Sequence, residues 1–124
     1  MKKLFLALAL LPTMAQASET ECLSRIMYAE DRQSTVGTIA VGHAALNRSK
    51  HQSIPVCKIK GVVSKLIPVS IRPYYLALAK SVMNNKSTVE SANAWNRGKK
   101  PHMKASKIVA IKGQNIFYVM AGEL

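Results

Sequence analysis

Eight apolar residues from Leu4 to Leu11, preceded by Lys2 and Lys3 and stopped by Pro12, most narrow what this 124-residue chain can become. Together with Ala15-Gln16-Ala17 before Ser18, they form the cationic start, short apolar run and A-x-A site of a cleavable export signal. A membrane span would need about 20 apolar residues. Residues 1–17 are therefore expected to be removed, leaving residues 18–124 as a secreted or periplasmic chain with no stable membrane anchor. That length suits one domain around one core, and no internal repeat, low-complexity tract or later spanning stretch interrupts it.

Export decides how the two cysteines are read. In an oxidising compartment an even pair is usually joined, so Cys22 and Cys57 are expected to form a disulfide. A metal site is a poorer reading, since neither C-x-x-C nor H-x-x-x-H spacing accompanies them; no metal or cofactor is expected. Removing Lys2 and Lys3 with the signal takes the formal net charge from +12 to +10. Such a field attracts polyanions. For an exported chain these are the anionic cell envelope surface rather than nucleic acid; the blander reading is that the lysines keep the domain soluble.

Ser18-Glu19-Thr20-Glu21 has the form of a capping box, and Cys22, Leu23, Ile26, Met27 and Ala29 follow at helical spacing, predicting a helix from Glu19 to Asp31. Ser34 or Thr35 can cap a second helix running to Arg48, whose small residues Gly37, Ala40, Gly42, Ala44 and Ala45 suit a central, buried position. The segment from Val56 to Leu66 reads as a short helix or, through Val62 and Val63, a strand. Pro73 opens a further helix that Asn84-Asn85 stops, and two short strands flank Gly113. The expected class is α+β, mostly helical, with a small C-terminal β element.

Few acids are available for chemistry. Glu19 and Glu21 belong to a helix start, Glu90 to a polar loop and Glu123 to the terminus. Glu30 follows Leu23, Ile26 and Met27 at spacings of seven, four and three, so it shares their apolar face. Desolvation there raises a carboxyl toward the range of a general acid. The alternative is a structural carboxylate, frayed at the helix end or paired with Arg32 or Arg48. His43, His51 and His102 show no metal spacing, and no G-x-S-x-G elbow is present. Trp95 and Asn96, in the polar stretch Ser91 to Gly98, could stack on and hydrogen-bond to sugars, or be one core aromatic and one turn residue. Tyr28, Phe117 and Tyr118 carry the same two readings.

Four ordered stretches resemble one family, the spore-cortex-lytic (SleB-type) cell wall hydrolases. Glu21-Cys22-Leu23 with Tyr28-Ala29-Glu30-Asp31-Arg32 resembles that family's E-C-L and Y-x-E-A-R opening, and Val36 to Arg48 (VGTIAVGHAALNR) its second helix ending in L-N-R. Pro55-Val56-Cys57 with Gly61-Val62-Val63 is similar to its P-x-x-C-x-V-V segment, and Gly113 to Tyr118 (GQNIFY) to its closing G-N-H-x-F-Y. The chain departs from the pattern at Gln33-Ser34, in the absent Q-F-S stretch near Ser64 to Ser70, and at Asn115, where the family has His.

The resemblance implies a lysozyme-like domain that cleaves the β-1,4 bond between N-acetylmuramic acid and N-acetylglucosamine, characteristically as a lytic transglycosylase. It places the catalytic acid on Glu30 and makes Trp95 and Asn96 sugar contacts; Tyr28 and Tyr118 are further candidates. The expected partners are peptidoglycan glycan strands, met by a monomer. The competing reading is a non-catalytic cationic wall-binding module on the same fold. A nucleic-acid-binding or antimicrobial protein fits the export signal and ordered motifs less well.

Overall fold

Leu23, Ile26 and Met27 recur at helical spacing, and their burial against the rest of the chain fixes the first helix, α1, over residues 19–30. The computed structural model describes residues 19–30, 34–59, 66–98, 100 and 105–120. The expected export signal, Ser18 of the capping box and the Val62-Val63 stretch lie outside the described residues.

Ser34 caps the second helix, α2, Thr35–Gln52: its hydroxyl accepts from the Gly37 N–H at 3.1 Å, satisfying a donor that the helix start leaves open. The helix runs four residues past the expected stop at Arg48, until Ser53 turns left-handed (φ 54°) and donates its N–H to the Lys50 carbonyl. Gly37, Thr38 and Ala40 to Ala45 are all buried, which makes α2 the central helix that its small residues predict. A Cβ on Gly42 would stand 2.9 Å from Met27 Sδ and 3.0 Å from Val82 Cγ2, so three helices meet where that side chain is missing.

Pro55 leads into a 3-10 turn, Val56–Lys58, which buries Val56 and brings Cys57 to α1, where it forms a disulfide with Cys22 (Cα–Cα 5.2 Å). The third helix, α3, is Arg72–Asn84; Pro73 lies in its first turn, where its missing N–H costs nothing. Tyr75, Ala79 and Val82, one helical stripe, face the core, and Asn85 ends the helix.

Three antiparallel strands complete an α+β domain in which about half of the described residues are helical. They are β1, Ala94–Arg97; β2, Ala105–Lys112; and β3, Asn115–Met120, in the order β1-β3-β2. The two strands around Gly113 (φ 60°) are those expected, with β3 central and almost wholly buried. β1 is a correction to the loop expected from Ser91 to Gly98. Ala-Trp-Asn-Arg has weak strand character, but pairing of Ala94 with Tyr118 and Trp95 with Phe117 uses β3's free edge and overrides it. Phe117 joins the helical core, while Ala94, Ile116, Tyr118 and Met120 form a smaller cluster.

Polar residues of α2 tie helices to sheet. The Thr88 N–H donates to His43 Nδ1 at 3.1 Å, and Asn47 Nδ2 donates to the carbonyls of Glu90 and Ala92, both at 2.8 Å. Asn93 then exchanges two hydrogen bonds between its side chain and the Met120 backbone. His43 is buried, which lowers its pKa against the opposing pull of the Val82 and Asn85 carbonyls.

Two stability predictions follow from this frame. The Cys22–Cys57 bond spans 35 residues, so replacing both cysteines by serine should cost roughly 4 kcal/mol in the chain-entropy account, measured by urea unfolding. A histidine held neutral keeps its stabilising share above the unfolded-state value near 6.5 and loses it as pH falls from there toward the depressed folded-state value. Thermal unfolding between pH 7.5 and 5 should therefore decline more steeply for the wild type than for His43→Gln.

Candidate active site

α1 ends on Glu30. The last carbonyls of a helix gather partial negative charge, so a carboxylate there is unfavourable unless a cation stands by. Glu30 was expected on the apolar face; it continues the stripe of Leu23, Ile26 and Met27 but lies at its rim, half-buried where they are buried.

The nearby cation is Arg48 of α2. Burial holds its guanidinium below the usual range, and the electrostatic influence of Tyr118 and then of Glu30 acts in the opposite direction. Its Nε donates to the Asn93 carbonyl at 2.9 Å, and its charged carbon lies 4.5 Å from the centroid of the Trp95 ring. One guanidinium thus ties α2 to the start of β1 and feels the charge at the end of α1.

The other expected site residues separate into two groups. Trp95 is half-buried against the helical core, with Arg48 over its ring. Its neighbour Asn96 is also half-buried and spends Nδ2 on the carbonyls of Arg97 and Lys100, at 2.8 and 2.9 Å. Its Oδ1 is buried with no hydrogen-bond partner among the described residues. Tyr118 is only 3% exposed, in the small cluster with Ala94, Ile116 and Met120, so its ring lies inside the sheet and not at the surface. Tyr28 is turned elsewhere. Two positions from Glu30 is about 200° around a helix, and the Tyr28 ring packs edge-on against Tyr75 of α3, centroids 5.1 Å apart.

Sequence reasoning named Arg48 solely as an ion-pair partner and passed over Asn47. Their signal was present: His43, Asn47 and Arg48 are polar side chains on a helix of small apolar residues, spaced to face one neighbour. Chemically, the group offers one carboxylate able to exchange a proton, a guanidinium able to compensate the charge it leaves, and an indole beside them. Of the remaining acids, Glu19 and Glu21 lie at the opposite end of α1, Glu90 is in the turn preceding Ala92, and Asp31 and Glu123 are outside the described residues.

Replacing Arg48 by Met should leave the Asn93 carbonyl without its donor and cost about 2 kcal/mol. Trp95 is the sole tryptophan, so denaturation followed by its fluorescence reads the loss directly. A double-mutant cycle with Glu30→Gln should return a coupling of about 1 kcal/mol; zero coupling would mean that Arg48 does not serve Glu30. No protein-family model, curated protein or solved structure matches the chain, which leaves the site to be read from its own geometry.

Proposed function

We propose that this chain is an exported enzyme of peptidoglycan, a lytic transglycosylase on a lysozyme-like fold, in which Glu30 serves in turn as acid and base. The observation that carries this reading is the Arg48 guanidinium, which lies over the Trp95 ring and feels the charge of the helix-end Glu30 carboxylate. The ordered likeness to the spore-cortex-lytic hydrolases supports it, since that likeness puts the acid on the same residue.

The chemistry suits a site with one carboxylate. A conventional glycosidase places two carboxyl groups about 5 to 9.5 Å apart and consumes water. Here Glu30 donates its proton to the glycosidic oxygen as the bond to the muramoyl C1 breaks, and Arg48 compensates the negative charge left behind. The carboxylate then takes the proton of the same sugar's 6-hydroxyl while that oxygen bonds to C1. The products are a free 4-hydroxyl on the leaving N-acetylglucosamine and a 1,6-anhydromuramic end. Glu30 returns to its starting state, and no water enters the balance.

Trp95 and the Asn96 amide are the proposed sugar contacts; Tyr28 would touch glycan only on the α3 side. The chain acts as a monomer in the secreted or periplasmic compartment, using no cofactor, and its positive charge holds it on the anionic envelope. A second reading, a non-catalytic cationic wall-binding module, is favoured by the excess of 18 basic over 6 acidic residues.

Glu30→Gln separates the two. The enzyme reading predicts that soluble glycan released from purified sacculi falls by a factor on the order of 10² to 10⁴, with sacculus binding nearly unchanged. Undiminished release by Glu30→Gln refutes the assignment of Glu30, and wild-type protein that binds sacculi but releases nothing is the wall-binding module.

A further inference from the structure

Of the seven large apolar side chains most exposed among the described residues, four fall within residues 66–74: Leu66 (66% exposed), Val69 (76%), Ile71 (38%) and Tyr74 (46%). Singly exposed apolar residues are ordinary, but four in nine positions call for a partner. The backbone there is suited to a poorly hydrated setting. Pro68 and Pro73 bring no N–H, and the Pro68 carbonyl accepts from the N–H groups of both Ile71 and Arg72, at 3.1 and 3.0 Å. The Tyr74 hydroxyl is held by Thr35 Oγ1 at 3.1 Å.

Cations stand beside this segment. A cavity of about 230 Å³ is lined by Arg25 and Arg72 together with Glu21, Ser24, Leu66, Ile67 and Leu76. Arg72 Nη2 donates to the Ile67 carbonyl at 3.1 Å, which ties its guanidinium to the backbone of the same segment. Two guanidinium groups against the single Glu21 carboxylate leave the cavity cationic. Its volume is below the roughly 300–1,000 Å³ of typical small-molecule sites, which suits a phosphodiester headgroup better than a disaccharide.

We propose that residues 66–74 dock this protein reversibly on an anionic phospholipid surface, with Leu66, Val69, Ile71 and Tyr74 entering the headgroup boundary and Arg25 and Arg72 meeting a lipid phosphate. Exposed apolar residues beside a cationic cavity, on a chain with net charge +12 in all and +10 without Lys2 and Lys3, are the complement of such a surface. Among the described residues no helix is long and apolar enough to cross a membrane, so the contact is peripheral. It is independent of the glycan-cleaving reading, because none of these residues belongs to the Glu30 group.

Co-sedimentation of the full chain with vesicles tests it. Binding to phosphatidylcholine vesicles carrying about 30% phosphatidylglycerol should exceed binding to phosphatidylcholine alone by about tenfold or more. Leu66→Ser/Val69→Ser keeps the charge and should lower that binding about tenfold without moving the melting temperature, whereas Ile108→Ser/Ile111→Ser, which changes two exposed residues of β2, should leave it intact. Arg25→Gln/Arg72→Gln should abolish the preference for the anionic lipid. Equal losses from both serine pairs, no lipid preference in the wild type, or loss of sacculus binding in place of vesicle binding by Leu66→Ser/Val69→Ser would each overturn the proposal.

Discussion

A guanidinium drawn out of water is a standing cost, and Arg48 is where this molecule meets it. Burial alone would destabilise the charge, yet the Asn93 carbonyl and the Trp95 ring lie against it and the Glu30 carboxylate favours it electrostatically. Removing any one leaves the others with less to hold. With His43 and Asn47, Arg48 forms the polar side of a helix that is otherwise small and apolar, and that side grips the stretch from Thr88 to Asn93 that feeds β1. The sheet is therefore seated on α2 by hydrogen bonds as well as by Phe117 in the core.

Much of this was legible in residue pattern. The first and third helices announce themselves by apolar spacing and by Pro73, α2 by its small residues and Ser34, and the hairpin by β-branched and aromatic residues around Gly113. The cysteine pair followed from simple chemistry. What escaped depends on pairing between distant segments. β1 has no strong strand preference of its own and exists because β3 offers an edge. The end of α2 is set by Ser53 adopting a left-handed turn, beyond where the apolar pattern fades. In the site, Glu30 was visible from helical spacing, but its distance from full burial was not, since the carboxylate stands at the last turn where a helix face meets its neighbours at the rim. Tyr28 and Tyr118 looked equivalent in one dimension; α3 takes the first and the interior of the sheet the second.

The proposed chemistry and the proposed docking tip draw on the same imbalance of charge in different ways. With few acids, a single carboxylate is left at the end of α1, and a reaction whose nucleophile is supplied by the substrate makes that sufficient. With many cations, two line the cavity beside residues 66–74, together with Glu21 of the first half of α1, so that the proposed surface attachment and the proposed glycan cleavage would be served by different parts of one helix.

The central claim is that Glu30 works alone, with the sugar's own hydroxyl as nucleophile. Mass spectrometry of the soluble fragments that the wild-type chain releases from purified sacculi tests this most directly. The account predicts 1,6-anhydromuramic ends on those fragments; reducing muramic ends would show that water is the nucleophile and contradict it.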